Sequence, residues 1–413
     1  MKSALALLTL VCLTMHACAL ASVAVTTPSA GFLCSEDGTL LTEADAYSAV
    51  TPLGDSGLFS CVRPDGGIII CDSDGKTLSD DEYTGASYAY GRLVVSRGGL
   101  SALFDLEMNA LTGWDFTHIL PVSSSRFFAF RTNIYDDIAD AIYLLLPDGR
   151  ALPAGVSVAY PSQLEFNERN TPALSSVTGL YGYLDENGNW RLLSEYVCAG
   201  AFNNSAAPAG TSDGMGVIDR LGYWLLEPVY ESVIVGESCI LARDGDCLYA
   251  FAREDNALML TGEYPDAYGA EAGDYYAVYD KDAARLFTRE GACAAEFAPD
   301  TLVLPASEAR VIIADGEGMR LYDIETGVKS APYFYVEQLL LAGIYRYAVY
   351  SEEGSLCFGL MDKDGSLLTD AVYEYISAPA EGFISAEAIG YVYLYALEGN
   401  ELTELLRLDT QIE

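Results

Sequence analysis

Met215-Gly216-Val217-Ile218-Asp219-Arg220-Leu221-Gly222, Tyr181-Gly182-Tyr183-Leu184-Asp185-Glu186-Asn187-Gly188 and Phe358-Gly359-Leu360-Met361-Asp362-Lys363-Asp364-Gly365 are three spellings of one phrase. A large apolar residue and a glycine open it, two more apolar residues follow, and an Asp comes three residues before a turn glycine. Such turns need positive φ, which Gly, Asn and Asp supply at low cost. Alternation at Val217, Asp219 and at Leu360, Asp362 predicts a half-buried strand before each turn. Segments such as Pro228 to Val233 and Ala371 to Ile376 predict a third strand, and Gly236 to Ala242 or Gly382 to Ala388 a fourth. Each unit is thus three or four short antiparallel strands.

Fainter copies run from Gly31 to Gly38, Ile68 to Gly75, Leu100 to Asn109, Ala141 to Gly149, Leu248 to Asn256, Leu286 to Gly291, Arg320 to Gly327 and Tyr391 to Gly399. Their starts are spaced by about 30 to 42 residues, a period typical of propellers and solenoids. No long stretch carries a 3.6-residue period. The fold class expected is therefore all-β, with repeated three- to four-stranded antiparallel units forming β-propeller-like blades. An open β-solenoid stack is the alternative. About eleven units exceed one ordinary propeller. Pro153 to Ser176, with Pro161, Asn167, Asn170 and Pro172, interrupts the pattern. It suggests a degenerate array over 31–160 and a clearer one over 176–413.

The units at Gly182, Gly216 and Gly359 resemble the WG (or KWG) repeat family of bacterial proteins. The match is the aromatic-Gly-aliphatic-aliphatic-Asp opening, the turn glycine and a later Val-Tyr-Glu, clearest in Leu226-Glu227-Pro228-Val229-Tyr230-Glu231. Tyr181, Met215 and Phe358 stand where that family has Trp. The clear likeness covers three units. Arg320-Leu321-Tyr322-Asp323-Ile324-Glu325-Thr326-Gly327 also resembles a blade phrase of quinone-enzyme propellers. The WG resemblance implies a β-repeat binding or interaction protein, commonly exported. It carries no set of catalytic residues to this chain.

Composition narrows function further. The formal charge is 22 − 60 = −38 over 413 residues, with 51% hydrophobic and only 20% charged residues. So acidic a chain can bury a large core but offers no clustered cations for nucleic acid or anionic membrane surfaces. Met1-Lys2, the apolar run Ala4 to Met15 and the small residues up to Ala21 follow the order of a secretory signal, so 1–21 is read as a signal peptide cleaved after Ala21. Cys18 offers a lipid anchor as a second reading, although Met15-His16-Ala17 fits a lipoprotein signal poorly. No later segment supplies the roughly 20 apolar residues of a membrane span.

Candidate chemistry is thin. Cys34, Cys61, Cys71, Cys198, Cys239, Cys247, Cys293 and Cys357 contain no C-x-x-C spacing. Cys61 and Cys71 flank the turn Pro64-Asp65-Gly66-Gly67 and could face each other as a disulfide; the plainer reading is small core residues. Asp72-Ser73-Asp74-Gly75 and Asp362-Lys363-Asp364-Gly365 look like the opening of a calcium loop but lack its remaining ligands, and solvated hairpin turns are the plainer reading. His118 alone could serve a nucleophilic triad after signal removal, with no nucleophile elbow beside it. The 29 tyrosines cluster in Tyr264 to Tyr279, Tyr333 to Tyr350 and Tyr373 to Tyr395. They suit sheet packing, or alternatively a glycan- or protein-binding face. No catalytic, cofactor-binding or metal-ligating residue is assigned and no cofactor is expected. The sequence reads as an exported, non-catalytic binding or scaffold protein of the cell envelope or exterior, with an unknown protein or glycan partner. The competing reading is an extracellular glycan hydrolase using an Asp/Glu pair.

Overall fold

A computed structural model describes residues 22–79, 83–131, 141–160, 164–237, 239–264, 267–272, 274–306, 309–339 and 343–410. The segment 1–21, and with it the signal peptide, His16 and Cys18, lies outside the described residues. Every regular element among the described residues is a β-strand, and the strands form eleven antiparallel sheets of two to four strands. The sheets are propeller-like blades in which the strands follow chain order. Each of the eleven copies of the phrase falls on a strand that ends in a turn. Two compact units are distinguished. One holds the residues as far as Tyr88, Leu106–Met108 and Tyr373 onward; the other holds Ala89–Asp105 and Asn109–Val372.

The expected alternation is not what the phrase strands show. Gly216, Val217 and Ile218 are buried in succession, as are Gly182, Tyr183 and Leu184. Both faces of these strands are covered by neighbouring sheets, and a strand covered on both sides reads as a continuous apolar run. True alternation moves to the outer strand, as in Trp190–Tyr196.

The boundaries between units also differ from the expectation. Trp224–Tyr230 pairs with Met215–Asp219 as the last strand of its sheet, whereas Ser232–Val235 pairs with Cys239–Asp244 in the next. Glu231 is therefore the crossing point, and Val229-Tyr230-Glu231 is not part of one continuous third strand. The sequence repeat is out of step with the sheet.

In the first unit the N-terminal hairpin, Val23–Thr26 with Gly31–Cys34, has two apolar faces. Val23, Val25, Phe32 and Cys34 share a core with Val392 and Leu394 of the last sheet. Ala24 and Leu33 share another with Val50, Phe59, Cys61, Ile69 and Cys71. First and last repeats thus pack together.

The glycine of the phrase has a steric cause. Opposite Gly216 and Gly182 the outer strand bulges, and a Cβ on Gly216 would lie 2.5 Å from the Leu226 carbonyl oxygen. Overpacking of this kind costs about 1–3 kcal/mol. Gly216→Ala is expected to lower stability by that amount in denaturant melts, while Gly155→Ala, where a Cβ meets nothing within 4 Å, changes it little.

Candidate functional site

The recurring Asp is a turn former. Asp219 Oδ1 accepts the N–H groups of Leu221 and Tyr223 at 2.8 and 2.9 Å. Asp185 does the same for Asn187 and Asn189, and Asp362 for Asp364 and Ser366, each at 2.9 Å. Asp72 repeats the pattern with Asp74 and Lys76. The two calcium-like turns are hairpin turns of this kind. The Asp364 carboxylate pairs instead with Arg310 at 2.7 Å. Among the described residues no group of three or more His, Cys, Asp or Glu is placed to hold a metal ion.

The structure brings together two phrases that the sequence presents separately. A cleft of about 350 Å³ is lined by Leu321, Asp323, Thr326, Val328 and Ser330 from one phrase, by Lys363 and Asp364 from the other, and by Arg310. Arg310 is largely buried and its Nη2 lies 3.2 Å from Asp323 Oδ2. The hydroxyl and backbone N–H of Thr326, with the Arg310 charge, hold the Asp323 carboxyl below the usual carboxylate range. Arg310 had no sequence signal beyond its rarity, a cation opening an apolar strand in a chain with 22 Lys and Arg.

A second cluster clamps two strained turns. Glu168, Arg169, Asn204 and Ser205 all have φ between 46° and 68°, an uncommon conformation for residues other than glycine. Glu168 accepts from the Ser205 N–H at 3.0 Å and from Arg220 Nε at 3.1 Å. Arg253 donates to the carbonyls of Asn203 and Asn204 at 2.6 and 2.9 Å, and Arg169 pairs with Glu186. Burial pushes the Glu168 carboxyl up, but hydrogen bonds from Arg220 and Ser205 and the Arg220 charge outweigh it and hold the group below its ordinary value.

The tyrosines differ widely in burial. Tyr183 and Tyr279 are buried and reach across to the next sheet, their hydroxyls donating to Gly200 O at 2.9 Å and Val303 O at 3.0 Å. Tyr347 is likewise buried and donates to Thr369 O at 2.9 Å. In the first unit, by contrast, Tyr391, Tyr393 and Tyr395 stand at alternate positions of one strand and are only half-buried. Tyr393 and Tyr395 stack at 5.8 Å with a 10° interplanar angle. The Arg407 guanidinium lies 4.0 Å from the Tyr391 ring centre. Tyr373 packs edge-on to Tyr393 and Tyr395, and its hydroxyl is 3.1 Å from that of Tyr395.

Other candidates are structural. His118 is exposed at the start of its strand and stacks on Phe130 at 6.1 Å. Cys61 and Cys71 are buried free thiols. Cys61 sits opposite Ile69 and Cys71 opposite Phe59, so they are diagonal neighbours and do not face each other directly. Tyr47 OH lies 3.5 Å from Cys71 Sγ.

The family description WG containing repeat matches residues 358–387, from the strand Leu356–Asp362 into the first two strands of the next sheet. That supports a WG repeat at this place. No curated protein matches the chain. The crystal structure of a eukaryotic initiation factor aligns with 83% of this chain and 93% of its own, at TM-score 0.45 and 8% identity. BamB from Moraxella catarrhalis aligns with 74% of this chain and 89% of its own, at TM-score 0.27 and 11% identity. No helix among the described residues is long and apolar enough to cross a membrane.

Asp362→Ala removes two hydrogen bonds worth about 0.5–1.5 kcal/mol each, so its melt should fall accordingly, while calcium and chelator give the wild type the same midpoint. A calcium-dependent rise would restore the metal reading. Because the folded Glu168 has a depressed pKa, its stabilisation is complete above the ordinary Glu value of about 4.3 and is lost as pH falls through the folded value. Glu168→Gln should therefore be less stable at neutral pH and show a flatter acid limb in pH-resolved melts.

Proposed function

We propose that the protein is an exported, non-catalytic binding or scaffold protein that acts at the cell envelope or outside it. The observation that carries this reading is the half-exposed tyrosine ladder Tyr391-Tyr393-Tyr395 with Tyr373 and Arg407. Rigid amphipathic rings supply contact area at low entropic cost and accept the apolar faces of sugars or peptide side chains. The N-terminal signal pattern in 1–21 supports the address, and the WG repeat at 358–387 supports the repeat class.

The chemistry of the acids favours the same reading over the hydrolase. A general acid on a glycosidase needs a raised pKa. Asp323, Glu168 and Asp280 are instead held low by N–H donors and arginines. Recurring acids such as Asp185, Asp219 and Asp362 are engaged by their own turns.

The test has two parts. Export requires that the chain be recovered outside the cytoplasm with a mature N-terminus at Ser22. Binding requires that the purified mature protein cosediment with cell-envelope fragments, and that Tyr391→Ala/Tyr393→Ala cut the bound fraction several-fold with an unchanged melt. Full-length chain confined to the cytoplasm, or cosedimentation indifferent to the double substitution, would overturn the reading.

A further inference from the structure

The cleft beside Arg310 has a charge arrangement that selects among ligand classes. Arg310 Nη2 stands 3.2 Å from Asp323 Oδ2 and 2.7 Å from Asp364 Oδ1, with the Arg310 side chain only 14% exposed. A guanidinium fixed between two carboxylates places a positive charge where a cation would have to sit. The same two carboxylates repel an anion. What remains welcome is a group that can both donate and accept, and a hydroxyl does both. Lys363, exposed at the rim, adds three mobile donors. Leu321, 4% exposed, and Val328, 62% exposed, also line the cleft, and Val328 gives an apolar surface for ring C–H groups. At about 350 Å³ the cleft lies at the small end of the size range of small-molecule pockets.

We propose that this cleft binds a neutral, hydroxyl-rich ring compound, a sugar residue, through polar contacts to Asp364, Arg310 and Lys363 and apolar contact with Val328. The inference rests on the binding reading above and supplies it with a ligand class and a site separate from the tyrosine ladder. The carboxylate oxygens accept hydrogen bonds from ring hydroxyls, and the nitrogens donate to the same hydroxyls. The Val328 side chain packs against the ring face. Because no net charge is desolvated, the affinity should depend little on salt.

Saturation-transfer NMR and calorimetry on the full mature chain test this with glucose, galactose, mannose and N-acetylglucosamine, against calcium chloride and inorganic phosphate as charged probes. At least one sugar should receive saturation at its ring protons. Asp364→Asn and Lys363→Gln should each weaken that sugar at least tenfold. Lys363 is exposed, so its substitution keeps the fold and the test stands even if Asp364→Asn melts early. Silence from all these sugars, affinity untouched by Lys363→Gln, or displacement of the sugar by phosphate or calcium would overturn the assignment. Envelope cosedimentation reads the tyrosine ladder by itself. Its persistence alongside a silent cleft would sink only the cleft, and its loss alongside a working cleft only the ladder.

Discussion

A sheet of three or four short strands cannot hold itself together in water; it needs cover on its apolar faces. The inner strands here need cover on both. Gly31–Cys34 shows how that is met, since Phe32 and Cys34 feed one core while Leu33 feeds another. A strand used this way has no solvent side, so its residues lose the in-out rhythm of an ordinary antiparallel sheet. The same crowding selects glycine at the second position of the phrase. At Gly359 a Cβ would come within 2.6 Å of the Tyr347 ring, so the neighbouring strand closes only over a residue without one.

The offset between sequence repeat and sheet strengthens this mutual cover. The segment from Met215 to Ala242 ends one sheet and begins the next, so one stretch of covalent chain belongs to two packing layers. Tyr183, Tyr279 and Tyr347 add a polar tie, a buried ring with its hydroxyl bound to a backbone carbonyl farther along the chain. Losing such a tie strands a buried hydroxyl or carbonyl, which costs more than the bond itself contributes. Tyrosine is therefore plentiful for more than one reason, and the ladder near the C-terminus leaves three rings of one strand half-buried.

What could be read from the sequence was local. Asp362 and Gly365 announce their turn because an Asx hydrogen bond and a positive φ are decided within a few residues. The eleven phrases locate eleven sheets on that basis alone. The crossing at Glu231 could not be read, because nothing local separates a strand that continues from one that changes partner. Neither could the fates of Tyr183 and Tyr393, which differ in burial although both sit among apolar neighbours. The cleft was half legible, since both phrases that meet there stood out. Arg310, which fixes its charge, comes from a strand with no turn chemistry to mark it.

The acidity shapes what any binding surface here can do. Arginines are scarce and the structure spends many of them on acids within the fold: Arg220 on Glu168, Arg285 on Asp280 and Glu296, Arg320 on Asp315 and Glu317, Arg346 on Glu337. Many of the other carboxylates are exposed and keep the surface negative. Long-range attraction then works only for cationic partners and fades with salt. Contacts that depend on ring faces and hydroxyls escape that restriction, because dispersion and neutral hydrogen bonds do not register the field. In so acidic a protein, ring faces and charge-balanced clefts are the surfaces whose contacts vary least with salt, and this chain carries the Tyr391, Tyr393 and Tyr395 rings on one strand and Arg310 between Asp323 and Asp364.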